Sequence, residues 1–151
     1  MRMPPPSLKG RALRLLSQRE HSRAELERKL VRHVQEGDNL AAVLDDLQAK
    51  DFISEQRTAE SVVHRRAGRM GLARIRHELH AKGLSGEAME QALAPLQDTE
   101  LERAGELWRR KFTELPTDAA ARAKHMRFLM ARGFSGEVAS RVLRAAARGE
   151  G

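Results

Sequence analysis

The apolar positions of this 151-residue chain recur at intervals of three and four throughout, and no segment shows the period-two alternation of a strand. Leu8, Ala12, Leu15 and Leu16 predict a first amphipathic helix over 8–18. Ser22-Arg-Ala-Glu25 is a capping box, in which the hydroxyl accepts a backbone N–H while the carboxylate reaches back to the cap. Leu26, Leu30, Val31 and Val34 then continue one face as far as Gly37. Asp38 or Asn39 caps a third helix striped by Leu40, Val43, Leu44 and Leu47. Three short helices therefore occupy the first third of the chain.

The same punctuation returns twice. Ser54 caps a helix with Ala59, Val62, Val63 and Ala67 inward, Gly68 and Gly71 bracket a turn, and Leu72, Ile75 and Leu79 stripe the next helix. Gly83 stops that helix and Ser85 caps another, which buries Ala88, Met89, Ala92, Leu93 and Leu96. A second capping box, Thr99-Glu-Leu-Glu102, predicts a new helix through Leu101, Ala104, Leu107 and Trp108 to Phe112. Pro116 or Thr117 opens the next, with Ala119, Ala123, Met126, Leu129 and Met130 inward, and Ser135 follows the break at Gly133, with Val138, Val142 and Leu143 closing the core.

Leu79-His-Ala-Lys-Gly-Leu-Ser-Gly-Glu87 reappears as Leu129-Met-Ala-Arg-Gly-Phe-Ser-Gly-Glu137 without insertion, and an Ala followed six residues later by Leu marks Ala24–Leu30, Ala73–Leu79 and Ala123–Leu129. The expected fold is all-α, with three tandem three-helix repeats in an elongated, open, solenoid-like array. Its units are a flexible Pro-rich leader at 1–7, modules at 8–53, 54–97 and 98–148, and a frayed tail at 149–151. About 45 residues bury too little apolar surface to stand alone, so each module must lean on its neighbours.

Charge sharpens this picture. Lys and Arg number 28 against 21 Asp and Glu, a net charge of +7. It falls in alternating blocks: +5 over 1–24, −4 over 25–60, +5 over 64–82, −5 over 83–108 and +5 over 109–132. The stretch 65–85 carries Arg65, Arg66, Arg69, Arg74, Arg76 and Lys82 against the single acid Glu78. On a helical wheel Arg74 and His77 lie opposite the Leu72-Ile75-Leu79 stripe and face solvent or a partner. Such basic helices point to a polyanion or an acidic protein surface.

Other chemistry is scarce. With no cysteine there is no disulfide, thiolate metal site or cysteine nucleophile. His77 and His80 are one residue too close for a zinc-protease helix, and the six histidines read as ordinary exposed residues. No nucleophile elbow, phosphate-binding glycine loop or triad is present, so the chain reads as non-enzymatic and without cofactors. Asp45 and Asp46 are adjacent, point to different helix faces and read as solvated charge. No run reaches the roughly 18 apolar residues of a membrane span, and the start has no secretory h-region, which predicts a cytoplasmic protein away from membranes. With no Tyr, one Trp and four Phe at helix ends or on apolar faces, a base-stacking platform is not expected.

These motifs resemble the RecX family, small helical regulators of the RecA recombinase. The resemblance runs from about Arg11 to Leu143 and rests on Arg23-Ala-Glu-Leu-Glu-Arg-Lys-Leu30, Val43-Leu-Asp-Asp-Leu47 with Phe52-Ile-Ser-Glu-Gln-Arg57, and Arg74-Ile-Arg-His-Glu-Leu79 with Lys82-Gly83. Trp108-Arg-Arg-Lys-Phe112 and Lys124-His-Met-Arg-Phe-Leu129 with Arg132-Gly-Phe134 complete it. Thr58 stands where the family usually has Phe, and Met70 where it often has an aromatic residue.

The resemblance implies a monomer that lies along the RecA nucleoprotein filament, blocks its extension or favours its disassembly, and so restrains recombinase, ATPase and coprotease activities. Its contacts would come from Arg65, Arg66, Arg69, Arg74, Arg76 and Lys82, then Arg109, Arg110, Lys111, Lys124, Arg127 and Arg132, with weak, non-specific binding to single- or double-stranded DNA. The rival reading is a helical DNA-binding module acting through the same basic helices without the recombinase.

Overall fold

A computed structural model of the chain describes residues 4–149, and every regular element among them is helical. Eight α-helices follow in order: α1 (Leu8–Gln18), α2 (Arg23–Leu30), α3 (Leu40–Ala49), α4 (Glu55–Arg66), α5 (Leu72–Ala81), α6 (Gly86–Lys111), α7 (Ala119–Ala131) and α8 (Gly136–Ala147). They form the expected all-α array of three repeats, with three cores rather than one. The first is built from Leu8, Ala12, Leu26, Leu30, Leu44, Leu47 and Ile53. The second joins Ala59, Val62, Ile75, Leu79, Leu84, Met89, Leu93 and Leu96, and the third Ala104, Leu107, Trp108, Leu129, Phe134, Ala139, Val142 and Leu143.

Most local caps are where the sequence places them. Ser22 and Glu25 close the reciprocal capping box on α2, Asn39 accepts from Ala42 N, and Ser54 and Ser135 accept from Arg57 N and Val138 N. Ser85 makes no such bond. Between Pro116 and α7 the helix starts later than expected, at Ala119, because Asp118 rather than Pro116 or Thr117 supplies the cap to Ala121 N.

The largest departure is α6. No helix begins at Thr99: a single helix of 26 residues runs from Gly86 to Lys111, through Pro95, and contributes to both the second and third cores. The Thr99 hydroxyl does not cap; it donates back along its own helix to the Pro95 and Leu96 carbonyls, each at 3.5 Å. Arg103 supports the helix past the proline, donating to Leu96 O at 3.2 Å and pairing with Glu100 at 2.7 Å. Its Nε donates to the Thr99 hydroxyl at 3.0 Å and its remaining nitrogen to Ala67 O and Met70 O, both at 2.8 Å, tying the turn before α5 to the middle of α6.

Three expectations of burial are also corrected. Helix α2 ends at Leu30 and passes into a 3-10 turn, Val31–His33, so Val31 and Val34 leave the apolar face and stand 62% and 40% exposed. Met130 is 51% exposed, and Ala119 is also exposed. Two histidines read as exposed are core residues. His125 accepts from Trp108 Nε1 at 2.9 Å and stacks on Phe112, while His21 lies between Arg19 O and Lys29 Nζ, each at 3.0 Å. Thr58 fills its site with a polar joint instead of a ring, donating to Ser54 O at 2.8 Å and approaching His21 O at 3.4 Å.

Two modules meet closely where glycine permits it. A Cβ on Gly71 would overlap the backbone carbonyl of Gly133 and lie 2.6 Å from Phe134 N, and backbone atoms cannot turn aside as side chains do. Gly71→Ala is expected to cost about 1–3 kcal/mol by overpacking. Gly68→Ala, three residues away with nothing within 4 Å of the added carbon, is expected to be neutral or slightly stabilising. Chemical denaturation of the two variants measures the difference.

Candidate partner-binding face

The middle helices α2, α5 and α7 meet end to end. An α-helix leaves its last carbonyls without intrahelical donors, and here the preceding module supplies them. At the end of α5, Ala81 O accepts from Arg28 at 3.2 Å and Lys82 O accepts from the Ser22 hydroxyl at 2.5 Å. Fifty residues on, at the end of α7, Ala131 O accepts from Arg74 at 2.7 Å and Arg132 O from Gly71 N at 2.6 Å. Gly83 and Gly133 take the left-handed turn after each helix, φ +80° and +96°. At each, an added Cβ would strike the facing helix, Ala24 Cβ at 2.6 Å or Arg74 N at 2.7 Å. The partial negative end of one helix thus lies against the positive start of the previous one.

This packing occupies much of the basic stretch. Arg66 pairs with Glu78 at 3.0 Å, Arg76 pairs with Glu90, and Lys82 reaches Glu25 at 3.4 Å. Arg74 is spent on Ala131 O, and Arg110 donates to Gly68 O at 3.1 Å. Arg65 and Arg69 make only long bonds, 3.4 Å, to carbonyls of Ser61 and Arg65. Lys111 and Arg132 lie 5.8 Å and 5.2 Å from the centre of the Phe128 ring, which draws cations from the ends of two elements to one aromatic ring. Arg109, Lys124 and Arg127 are exposed, and their side chains have neither an ion pair nor a hydrogen bond among the described residues. The twelve residues therefore divide into five held by other modules or elements, two resting on their own segment, two on a ring and three free.

Residues outside that set hold the joints. Glu100, on α6, accepts the Leu72 N–H at 3.2 Å and so caps α5, whose own N-cap, Gly71, has no side chain to do it. Glu25 is 7% exposed and receives Ser22 N at 3.0 Å, Arg19 at 2.7 Å and Lys82. The Thr99-to-Glu102 spacing suggested a local cap, and nothing nearby in sequence marks Glu100 as the partner of a residue 28 positions earlier. Among the described residues no group of three or more His, Asp or Glu is placed to hold a metal, and no helix is long and apolar enough to cross a membrane.

Burial by itself would raise the Glu25 pKa, but the Arg19 and Ser22 hydrogen bonds and the charges of Lys82 and Arg19 outweigh it and lower it to about 2. A carboxyl held below its ordinary value stabilises the fold above that ordinary value, 4.5, and loses the contribution as pH falls toward about 2. Stability is expected to drop by about 2–3 kcal/mol across that interval. Glu25→Gln should be less stable at neutral pH and should lack this part of the acid dependence, measured by urea unfolding at a series of pH values.

Comparison with known proteins follows the same three-module division. The chain matches the models of the first, second and third RecX three-helix domains over residues 9–47, 54–93 and 98–143. It is 58% identical over 143 residues to the regulatory protein RecX of Leptothrix cholodnii, covering 95% of this chain and 91% of that one. It is 55% identical to that of Herbaspirillum seropedicae, over 89% of this chain and 88% of the other. The crystal structure of RecX from Lactobacillus salivarius superposes with a TM-score of 0.80 at 23% identity, covering 93% of this chain and 95% of that one, a likeness of fold. With all three modules matched in order, the chain belongs to the RecX family.

Proposed function

We propose that this protein is a non-enzymatic regulator that binds the RecA nucleoprotein filament and inhibits its recombinase, ATPase and coprotease activities, by blocking extension or promoting disassembly. The observation that carries the reading is the match of each of the three modules to its RecX counterpart, together with relatives named regulatory protein RecX. The array supports it physically: modules joined end to end offer an extended surface to a partner that is itself a long repeat. The protein acts as a cytoplasmic monomer and touches DNA only weakly and without sequence preference.

The contact surface includes the twelve basic residues, and the free and loosely held ones lead. Arg109, Lys124 and Arg127 lose nothing internal on meeting an acidic or phosphate-bearing partner, and Arg65 and Arg69 lose only long bonds. Arg74, Arg76 and Lys82 contribute mainly by holding the modules in register. Removing exposed, unpaired cations costs association rate and affinity without a folding penalty.

DNA-dependent ATP hydrolysis by the cognate recombinase on single-stranded DNA, with the regulator added before or after filament assembly, tests the proposal. Inhibition is expected well below one regulator per recombinase. No inhibition at several-fold excess would sink the idea. Lys124→Ala combined with Arg127→Ala should keep the melting temperature and raise the concentration for half inhibition by about tenfold. Arg74→Ala should instead lower stability by about 0.5–1.5 kcal/mol, since it removes the exposed hydrogen bond to the Ala131 carbonyl that joins α5 to α7.

A further inference from the structure

The first module carries a cluster of cations outside the twelve. A recess of about 390 Å³ opens between α1 and the α2 end with its 3-10 turn, and Arg11, Arg14, Lys29, Arg32 and His33 line it against Leu15 and Leu30. No carboxylate is among the described residues of that lining. A smaller recess beside it shares Arg11, Arg32 and His33, and its one acid, Asp38, already accepts Gln35 N at 2.8 Å.

Elsewhere in the same module the chain pairs its cations. Arg19 meets Glu25, Arg23 meets Asp45 and Glu27, and Lys9 meets Asp46. The side chains of Arg11, Arg14 and Arg32, by contrast, have no ion pair or hydrogen bond among the described residues, and that of Lys29 touches only the His21 ring at 3.0 Å. The cations are close enough to act on one another: His33 is held below its ordinary pKa by partial burial and by the charges of Arg11 and Arg32. Like charges gathered in a concave site repel until an anion enters, and the surrounding low-dielectric walls strengthen its attraction. Guanidinium forks favour the oxygens of a phosphate over a spherical halide, because they donate two parallel hydrogen bonds.

We infer that the recess between α1 and α2 is a phosphate-binding site, in which Arg11, Arg14 and Arg32 grip the group. It takes phosphate either from a small polyphosphate or from a nucleic-acid backbone. The site does not depend on the filament reading, since it is defined by the first module alone.

Pyrophosphate titrated into the full-length protein at fixed ionic strength, followed by the NMR signals of the arginine Nε–H groups, tests the site. Saturable shifts are expected at Arg11, Arg14 and Arg32. The double variant R14A/R32A, which removes two exposed cations and leaves the core untouched, should weaken binding by about tenfold or more. R141A/R144A, equal in charge change but on α8, should change it by less than about twofold. Shifts that do not saturate, or equal losses in both double variants, would overturn the site in favour of diffuse ion screening. Displacement of pyrophosphate by a single-stranded oligonucleotide assigns the site to backbone phosphates; saturable binding that the oligonucleotide leaves unchanged assigns it to free polyphosphate.

Discussion

The structure depends on helix ends that are completed by another module. Carbonyls left over at the end of α5 are met by Ser22 and Arg28, and those at the end of α7 by Gly71 and Arg74. Each such bond is worth about 0.5–1.5 kcal/mol net, so polar satisfaction adds to apolar burial in holding the stack. Close approach is possible only because glycine stands at 71, 83 and 133, where a Cβ would strike the facing chain. The Lys-Gly and Arg-Gly pairs repeated in the sequence are therefore interface elements. They stop a helix and, at the same residue, admit the preceding module.

That constraint explains what became of the basic helix. Read as a charge block, residues 64–82 present six cations and one acid, an unusual surface for a partner. In the fold, acids from the neighbouring blocks come to meet them: Glu90 to Arg76, Glu25 to Lys82, with Glu78 of α5 taking Arg66 at the end of α4. The alternation of charge along the chain is in part the record of adjacent blocks folding against each other. Among the cations whose side chains meet no acid are Arg109, Lys124 and Arg127 in the third module and Arg11, Arg14 and Arg32 in the first.

What was legible in the sequence follows from the range of each interaction. The caps at Ser22, Asn39, Ser54 and Ser135 involve partners three residues away, and local spacing specifies them. Thr99 had the same spacing and a different outcome. Its helix was already running, and Arg103 and Glu100 bound the segment to the α4–α5 turn and the start of α5, contacts 28 to 36 residues distant in sequence. His125 likewise reads as a polar residue between Lys124 and Met126 until Trp108, 17 residues earlier, donates its indole N–H and Phe112 covers the ring. The repeat and the family resemblance were legible because they are patterns of many residues. Which cations are free was not, because pairing is decided by the fold.

The two joints are not alike. Between the second and third modules, α6 is one continuous helix whose Met89–Leu96 side lies in one core and whose Ala104–Trp108 side lies in the next. Bending there would require breaking a helix already braced by Arg103 at four carbonyl and carboxylate oxygens. Between the first and second modules the chain passes through α3 and a short turn, and the named contacts are polar: Ser22, Arg28 and Lys82 with Glu25, Arg57 with Glu20, Thr58 with His21. At that joint Glu25 gathers Arg19, Lys82 and Ser22 N, so the first and second modules are held by charge-assisted hydrogen bonds where the second and third share one helix.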